Sequence, residues 1–178
     1  MCKDYHAMKF LQKMNLHDLL IQKKIVLRQA KPADKWLIVF LVVRARLDPN
    51  QINWQNFWVI EIDNRLIAIG QLRKFALAQE LGSLFVIPAW RRQGLGTFLM
   101  QHLISQATQS LYLKCVNNQL VNFYVKSGFV PIEFNELPFS LKHKFRLSQA
   151  RKRFFKGFVV FMKYNPSLAH NIKNNSLL

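Results

Sequence analysis

Apolar and polar positions alternate over residues 24–30, "KIVLRQA", a period of two that predicts a short strand. Pro32 and the run "ADKWLIVFLVVRARLD" then predict a helix, with the proline at the first turn, where its missing N–H costs nothing. Trp36, Phe40, Val43 and Leu47 fall on one face of it, and the unbroken stretch from Trp36 to Val43 reads as a buried helix. Residues 56–63 and 65–75 predict two strands joined as a hairpin around Asn64, and a further strand covers 80–87, closed by Pro88. A helix is expected over about 93–108, because Leu95, Phe98, Leu99 and Leu103 recur on one side. A strand at 110–116, a short helix at 118–128 ended by Gly128, and strands at "FVPIEF" and "GFVVFMKY" complete the pattern. The order β–α–β–β–β–α–β–α–β–β predicts an α/β layer sandwich with a mixed sheet.

Composition narrows the class. With 178 residues, about half of them apolar, the chain suits one domain with a sizeable core. Its 26 Lys and Arg against 9 Asp and Glu give a net charge of +17, which points to an anionic ligand, surface or polymer. Cys2 and Cys115 have neither metal-knuckle spacing nor the numbers for a disulfide framework, so a reducing, cytoplasmic setting is expected. The histidines lack partners at ligand spacing, and no metal site is expected. The longest apolar run is less than half of the roughly 20 residues that a membrane-spanning helix needs. The N-terminal stretch mixes charged and apolar residues, unlike a secretory signal, and Asp4 and Asp18 are atypical of a transit peptide.

The densest chemical signal is "PAWRRQGLGTFLM", residues 88–100. A glycine-rich turn between a strand and a helix leaves unpaired N–H groups and partial positive charge at the helix start, which makes an anion site. Gly94 and Gly96 allow close approach to the main chain, and Arg91 and Arg92 add mobile cations. An ordinary tight strand-to-helix turn accounts for the same glycines. The stretch lacks the Gly-Lys-Ser/Thr of a P-loop and the third glycine of a dinucleotide fingerprint.

With its flanks, "LFVIPAWRRQGLGTFLMQHLI" resembles the acetyl-CoA-binding signature of the GNAT superfamily of N-acetyltransferases, Arg-x-x-Gly-x-Gly/Ala, with Arg91, Gly94 and Gly96 at the fixed positions. "NNQLVNFYVKSGF" resembles a second block of that family, through Asn117 or Asn118, Tyr124, Lys126, Gly128 and Phe129. The likeness covers about 24–164. It implies a single-domain GNAT-like layer sandwich whose mixed, mostly antiparallel sheet splays between two parallel strands, 80–87 and 110–116. It also divides the chain into an N-terminal extension (1–23), an acetyltransferase domain (24–164) holding a basic insert at about 134–156, and a polar tail (165–178), expected to be loose.

The resemblance implies acetyl-CoA as co-substrate. Its pyrophosphate would lie on Arg91, Arg92, Gln93, Gly94, Leu95, Gly96 and Thr97, and its pantetheine arm along Phe85, Val86 and Ile87, with Asn117, Asn118 and Lys126 also contributing. The implied reaction is direct attack of a primary amine on the thioester through a tetrahedral intermediate. A main-chain N–H near Val86 would polarise the carbonyl, and such aimed donors are often the largest single catalytic term. Tyr124 is the candidate acid for the leaving thiolate, against the alternative of a core tyrosine, since a phenol stays protonated at neutral pH. Glu80 is the candidate base, against the alternative of an exposed strand-end carboxylate or a water chain, with Glu61 and Asp63 behind it. His102 is read as a packing residue and Cys115 as a small core residue.

The segment 141–157 holds Lys142, Lys144, Arg146, Arg151, Lys152, Arg153 and Lys156 without an acid, more cations than one coenzyme uses. A solvated face explains it. Phe145, Phe154 and Phe155 among the charges favour a segment that docks on an anionic partner, nucleic acid or membrane. A non-catalytic acyl-CoA- or polyanion-binding module on the same fold is the alternative function. The acceptor amine, small molecule or protein, is left open, as is monomer against homodimer.

Overall fold

The structure, a computed structural model, describes residues 25–48, 52–146 and 158–168. The N-terminal extension 1–23 with Cys2, the basic residues 151–156 and most of the predicted tail lie outside the described residues.

Among the described residues the strands and labelled α-helices are β1 (Ile25–Gln29), α1 (Lys35–Arg44), β2 (Phe57–Ile62), β3 (Arg65–Phe75), β4 (Ala78–Val86), α2 (Leu95–Ser105), β5 (Leu111–Cys115), α3 (Val121–Val125), β6 (Phe129–Ile132) and β7 (Val160–Tyr164). Residues 139–146 are also helical. The strands form one seven-stranded sheet in the order β1-β2-β3-β4-β5-β7-β6. The predicted mixed sheet is present. β1–β2, β2–β3, β5–β7 and β6–β7 are antiparallel, whereas β4 and β5 are parallel, with Gln79 opposite Leu111 and Glu80 opposite Tyr112. That parallel pairing takes two residues of each strand, although β4 runs on to Val86 and β5 to Cys115.

Local chemistry explains the tight turns. Asp63 and Asn64 both take positive φ, 48° and 59°, which is the type I′ geometry that matches the twist of a two-residue hairpin, and Asp and Asn tolerate it. A two-residue connection through Leu77, φ 59°, likewise joins β3 to β4. Arg28 on β1 donates to Asp34 at 2.6 Å and to Glu61 at 2.5 Å, tying strand, helix entry and β2 together.

Two compact units divide the chain. The first takes the described residues up to Leu72 and Ser83–Ser105, and the second Arg73–Gly82 with the described residues from Gln106 on. The first unit packs Ala30, Ile38, Leu41, Val42, Phe57, Val59 and Ile69 into a core. Here one expectation is corrected: α1 is buried only through Ile38, Leu41 and Val42, while Trp36, Phe40 and Val43 face outward, as befits a helix laid on a core by one side.

The second unit has its own core of Ala78, Tyr112, Leu137, Leu141, Phe145, Val159 and Phe161. Leu141 and Phe145, four apart, put one side of the helical segment 139–146 into it, with Leu137 just ahead of the helix, and Phe145 stacks on Phe161 at 5.5 Å between centroids. This corrects the expectation for the described part of the basic segment. Phe145 is wholly buried and cannot serve as a docking residue, because its apolar spacing is helical and its partner is the sheet.

Candidate functional site

In the first unit, β4 leads through a turn into α2. Ser83 breaks the extended path of β4 with φ 50°, a left-handed residue inside a strand that re-aims the residues after it, as bulges do. Ile87 then donates its N–H to Ile67 of β3 at 2.9 Å. Because successive strand residues direct their main-chain groups to opposite edges, Val86 presents its own to the edge away from β3. Ile87 therefore has no N–H to offer there. The Val86 carbonyl accepts from Arg91 Nε at 3.0 Å, and the Arg91 guanidinium stands 5.4 Å over the Phe85 ring.

After Arg91 the chain reverses through Arg92, φ 61°, and Gly94, φ 81°. Gly94 opens α2: its carbonyl accepts the N–H of Phe98 at 2.9 Å, so the first helical N–H groups, those of Leu95, Gly96 and Thr97, precede any intrahelical acceptor. Leu95 points its side chain into the core and contributes only main chain. Arg91, Arg92, Gly94 and Thr97 are exposed. Seven consecutive residues predicted from the motif thus form one turn at the positive end of an eleven-residue helix.

The second unit holds the other predicted residues. Tyr124, on α3, is buried with its ring edge-on to Phe123 and Phe129, 5.2 and 6.0 Å away. Burial, with a smaller contribution from the neighbouring Cys115, pushes its phenol well above the ordinary value, so it remains a proton donor throughout the neutral range. Burial also raises the Cys115 thiol, which donates to the Asn117 carbonyl at 3.1 Å. Asn117 Oδ1 is committed to capping, accepting from the Gln119 N–H at 3.0 Å, while Asn118 and Lys126 are exposed.

Glu80 is buried, 2 % exposed, and not a strand-end surface acid. Its Oε1 accepts from Arg73 Nη1 at 3.1 Å and its Oε2 from the Lys144 ammonium, which also lies 5.4 Å over the Phe75 ring. Gly82 makes the space: a Cβ there would stand 2.3 Å from Arg73 Nη1. Sequence reasoning misses this triad, since nothing local pairs Glu80 with a lysine 64 positions away.

The weaker base candidates have other duties. Glu61 is bound to Arg28, and Asp63 forms the hairpin turn. His102 packs edge-on against Trp58 at 4.1 Å, and desolvation lowers its pKa. A surface cavity of about 280 Å³, lined by Pro131, Ile132, Glu133, Glu136, Val160 and Phe161, includes none of the predicted site residues. Among the described residues, no group of three or more His, Cys, Asp or Glu is arranged to hold a metal ion, and no helix is long and apolar enough to cross a membrane.

Residues 53–131 match the family model of the acetyltransferase (GNAT) domain. That span is similar to a GNAT acetyltransferase domain. Solved structures agree in fold. N-acetylglutamate synthase from Neisseria gonorrhoeae, complexed with coenzyme A and N-acetyl-glutamate, is 22% identical with a TM-score of 0.65 over 79% of this chain, which spans 35% of the synthase. Rv2747 from Mycobacterium tuberculosis, in complex with CoA and NLQ, is 20% identical with a TM-score of 0.61 over 78% of this chain and 98% of its own. An acetyltransferase of the GNAT family from Staphylococcus aureus Mu50 is 18% identical, TM-score 0.60, over 79% and 98%. No curated protein sequence matches. The matched span takes in both the turn at 91–97 and the Tyr124 block.

Proposed function

We propose that the protein transfers an acetyl group from acetyl-CoA to a primary amine. The observation that carries this reading is the Gly94 turn, left-handed at φ 81°, which opens α2 directly after β4 behind two exposed arginines. A pyrophosphate fits such a turn, because glycine keeps a Cβ out of the approach and the N–H groups of Leu95 to Thr97 meet it at the positive end of the helix. Coenzyme A in the structures of similar fold supports the same choice.

In this reading Arg91, with Nε held by Val86, keeps its terminal nitrogens for phosphate, and Arg92 adds a second cation. The pantetheine arm pairs with the β4 edge at Val86, whose N–H polarises the thioester carbonyl. A neutral amine attacks the carbonyl carbon, the carbon–nitrogen bond forms, the carbon–sulfur bond breaks, and the Tyr124 hydroxyl supplies the proton that the departing thiolate takes. The attacking nitrogen of the tetrahedral intermediate loses its extra proton to solvent, and solvent returns a proton to the Tyr124 phenolate. Glu80 has both oxygens on cations, and we assign it the holding of Arg73 and Lys144 in place of the base role. The acceptor is a small-molecule or protein amine.

Incubating the protein with acetyl-CoA and a panel of amino acids, polyamines and peptides, with mass spectrometry of the products and thiol release measured in parallel, tests the proposal. Amine-dependent thiol release with an acetylated product is the expected result. Tight acetyl-CoA binding without turnover on any amine would instead indicate a non-catalytic binding module.

A further inference from the structure

We infer that the outward face of α1 is a docking surface for an anionic lipid bilayer. Trp36, Phe40 and Val43 are 76%, 53% and 61% exposed, and Leu37 beside them 42%. At 100° per residue the first three lie within about 60° of one another, a continuous apolar stripe along a ten-residue helix that is otherwise fully employed in the core through Ile38, Leu41 and Val42.

Cations frame this stripe. Lys35 reaches over the Trp36 ring, 5.4 Å from its centroid, and Arg44 over Phe40 at 5.8 Å, one on each side. Lys31 and Arg46 are exposed at the two ends. The helix contains no acid, and Asp34, just ahead of it, is occupied by Arg28. Aromatic rings with a basic rim on a helix too short to span are the features that settle at the boundary between headgroups and acyl chains, the rings entering and the cations meeting phosphates. A second copy of the chain is the poorer occupant, because it would bring the same cations against their counterparts. A bilayer supplies the complementary charge and yields to a convex ridge. The inference is independent of the acetyl-transfer reading.

The test must separate this face from the general attraction of a +17 chain. Of the four tryptophans, Trp36 is the exposed one, Trp54 and Trp58 are half-buried, and Trp90 is buried. Vesicles of phosphatidylcholine with brominated acyl chains, with and without phosphatidylserine, are titrated into the full-length protein. Tryptophan quenching is expected with phosphatidylserine present, and its loss in Trp36→Phe. Lys35→Gln with Arg44→Gln should weaken partitioning about 30-fold, at roughly a factor of five per juxtamembrane cation. Phe40→Ser with Val43→Ser should weaken it at least about tenfold. All five substituted side chains are exposed, and circular dichroism checks that each variant folds. Vesicle binding without Trp36 quenching overturns the inference, since the protein then binds through other cations. So does a failure to bind phosphatidylserine vesicles, or self-association that Phe40→Ser abolishes.

Discussion

Replacing Glu80 by Gln separates a base from a structural anchor. Removal of the charge leaves Arg73, 2% exposed, and Lys144, 9% exposed in its side chain, buried without their shared counter-charge. Breaking a buried pair by removing one partner costs about 3–5 kcal/mol. An amide oxygen still accepts one hydrogen bond, which puts Glu80→Gln at the lower end, about 3 kcal/mol, or a fall in Tm of about 6–12 °C for a chain of this length. Gly82→Ala should act on the same triad without touching the carboxylate, because its Cβ would collide with Arg73 Nη1 and pull the guanidinium from Glu80. Scanning calorimetry and kcat are measured on both variants. Similar losses of stability, with kcat per folded molecule within a few-fold of the parent, are expected. A Glu80→Gln protein with unchanged Tm and kcat down by a hundredfold or more would refute the argument and return Glu80 to the role of base.

Three further outcomes rest on the same geometry. Gly94→Asp should raise the acetyl-CoA dissociation constant by about 100-fold or more while Tm hardly moves, because Asp is a good helix cap and tolerates left-handed backbone, yet its charge opposes pyrophosphate; calorimetry reads both. Tyr124→Phe should lower kcat by about 10²- to 10⁴-fold with coenzyme affinity intact, and the parent kcat should not fall between pH 8 and about pH 10 through this phenol, since burial raises it above its ordinary value of about 10; a pH–rate profile checks both. Arg28 depresses the Asp34 pKa, so the stability from that pair is complete above the ordinary aspartate value of about 3.9 and is lost as pH falls through the lower folded value; urea midpoints between pH 5 and pH 2 should show this, and Arg28→Gln should remove it.

What the sequence disclosed, and what it hid, divides by the range of the interactions. The hairpin at Asp63–Asn64 and the turn of Gly94 are local: a few residues with permissive backbones dictate them, and they are visible as short strings. The parallel pair β4–β5 is also locally legible, since the intervening α2 segment is the crossover that parallel strands need. The helical segment 139–146 was hidden in a basic run because Lys142, Lys144 and Arg146 dominate its composition, although Leu137, Leu141 and Phe145 keep a four-residue spacing that a count of apolar positions alone would have found. The two faces of α1 could not be ranked from an almost wholly apolar run; only packing against the first unit's core decides that Ile38 goes in and Trp36 out. Glu80 is the clearest case. Its neighbours in sequence, Gln79 and Leu81, say nothing of charge, while its partners lie on the adjoining strand and 64 residues downstream, with Gly82, two residues along the same strand, leaving room for Arg73. A carboxylate met in a motif region therefore has two possible occupations, and the distinction rests on whether the tertiary fold brings cations to both oxygens. Here it does, and so we propose that an acid chosen as base for its position in the chain is instead the anchor that fastens a basic helix to the sheet.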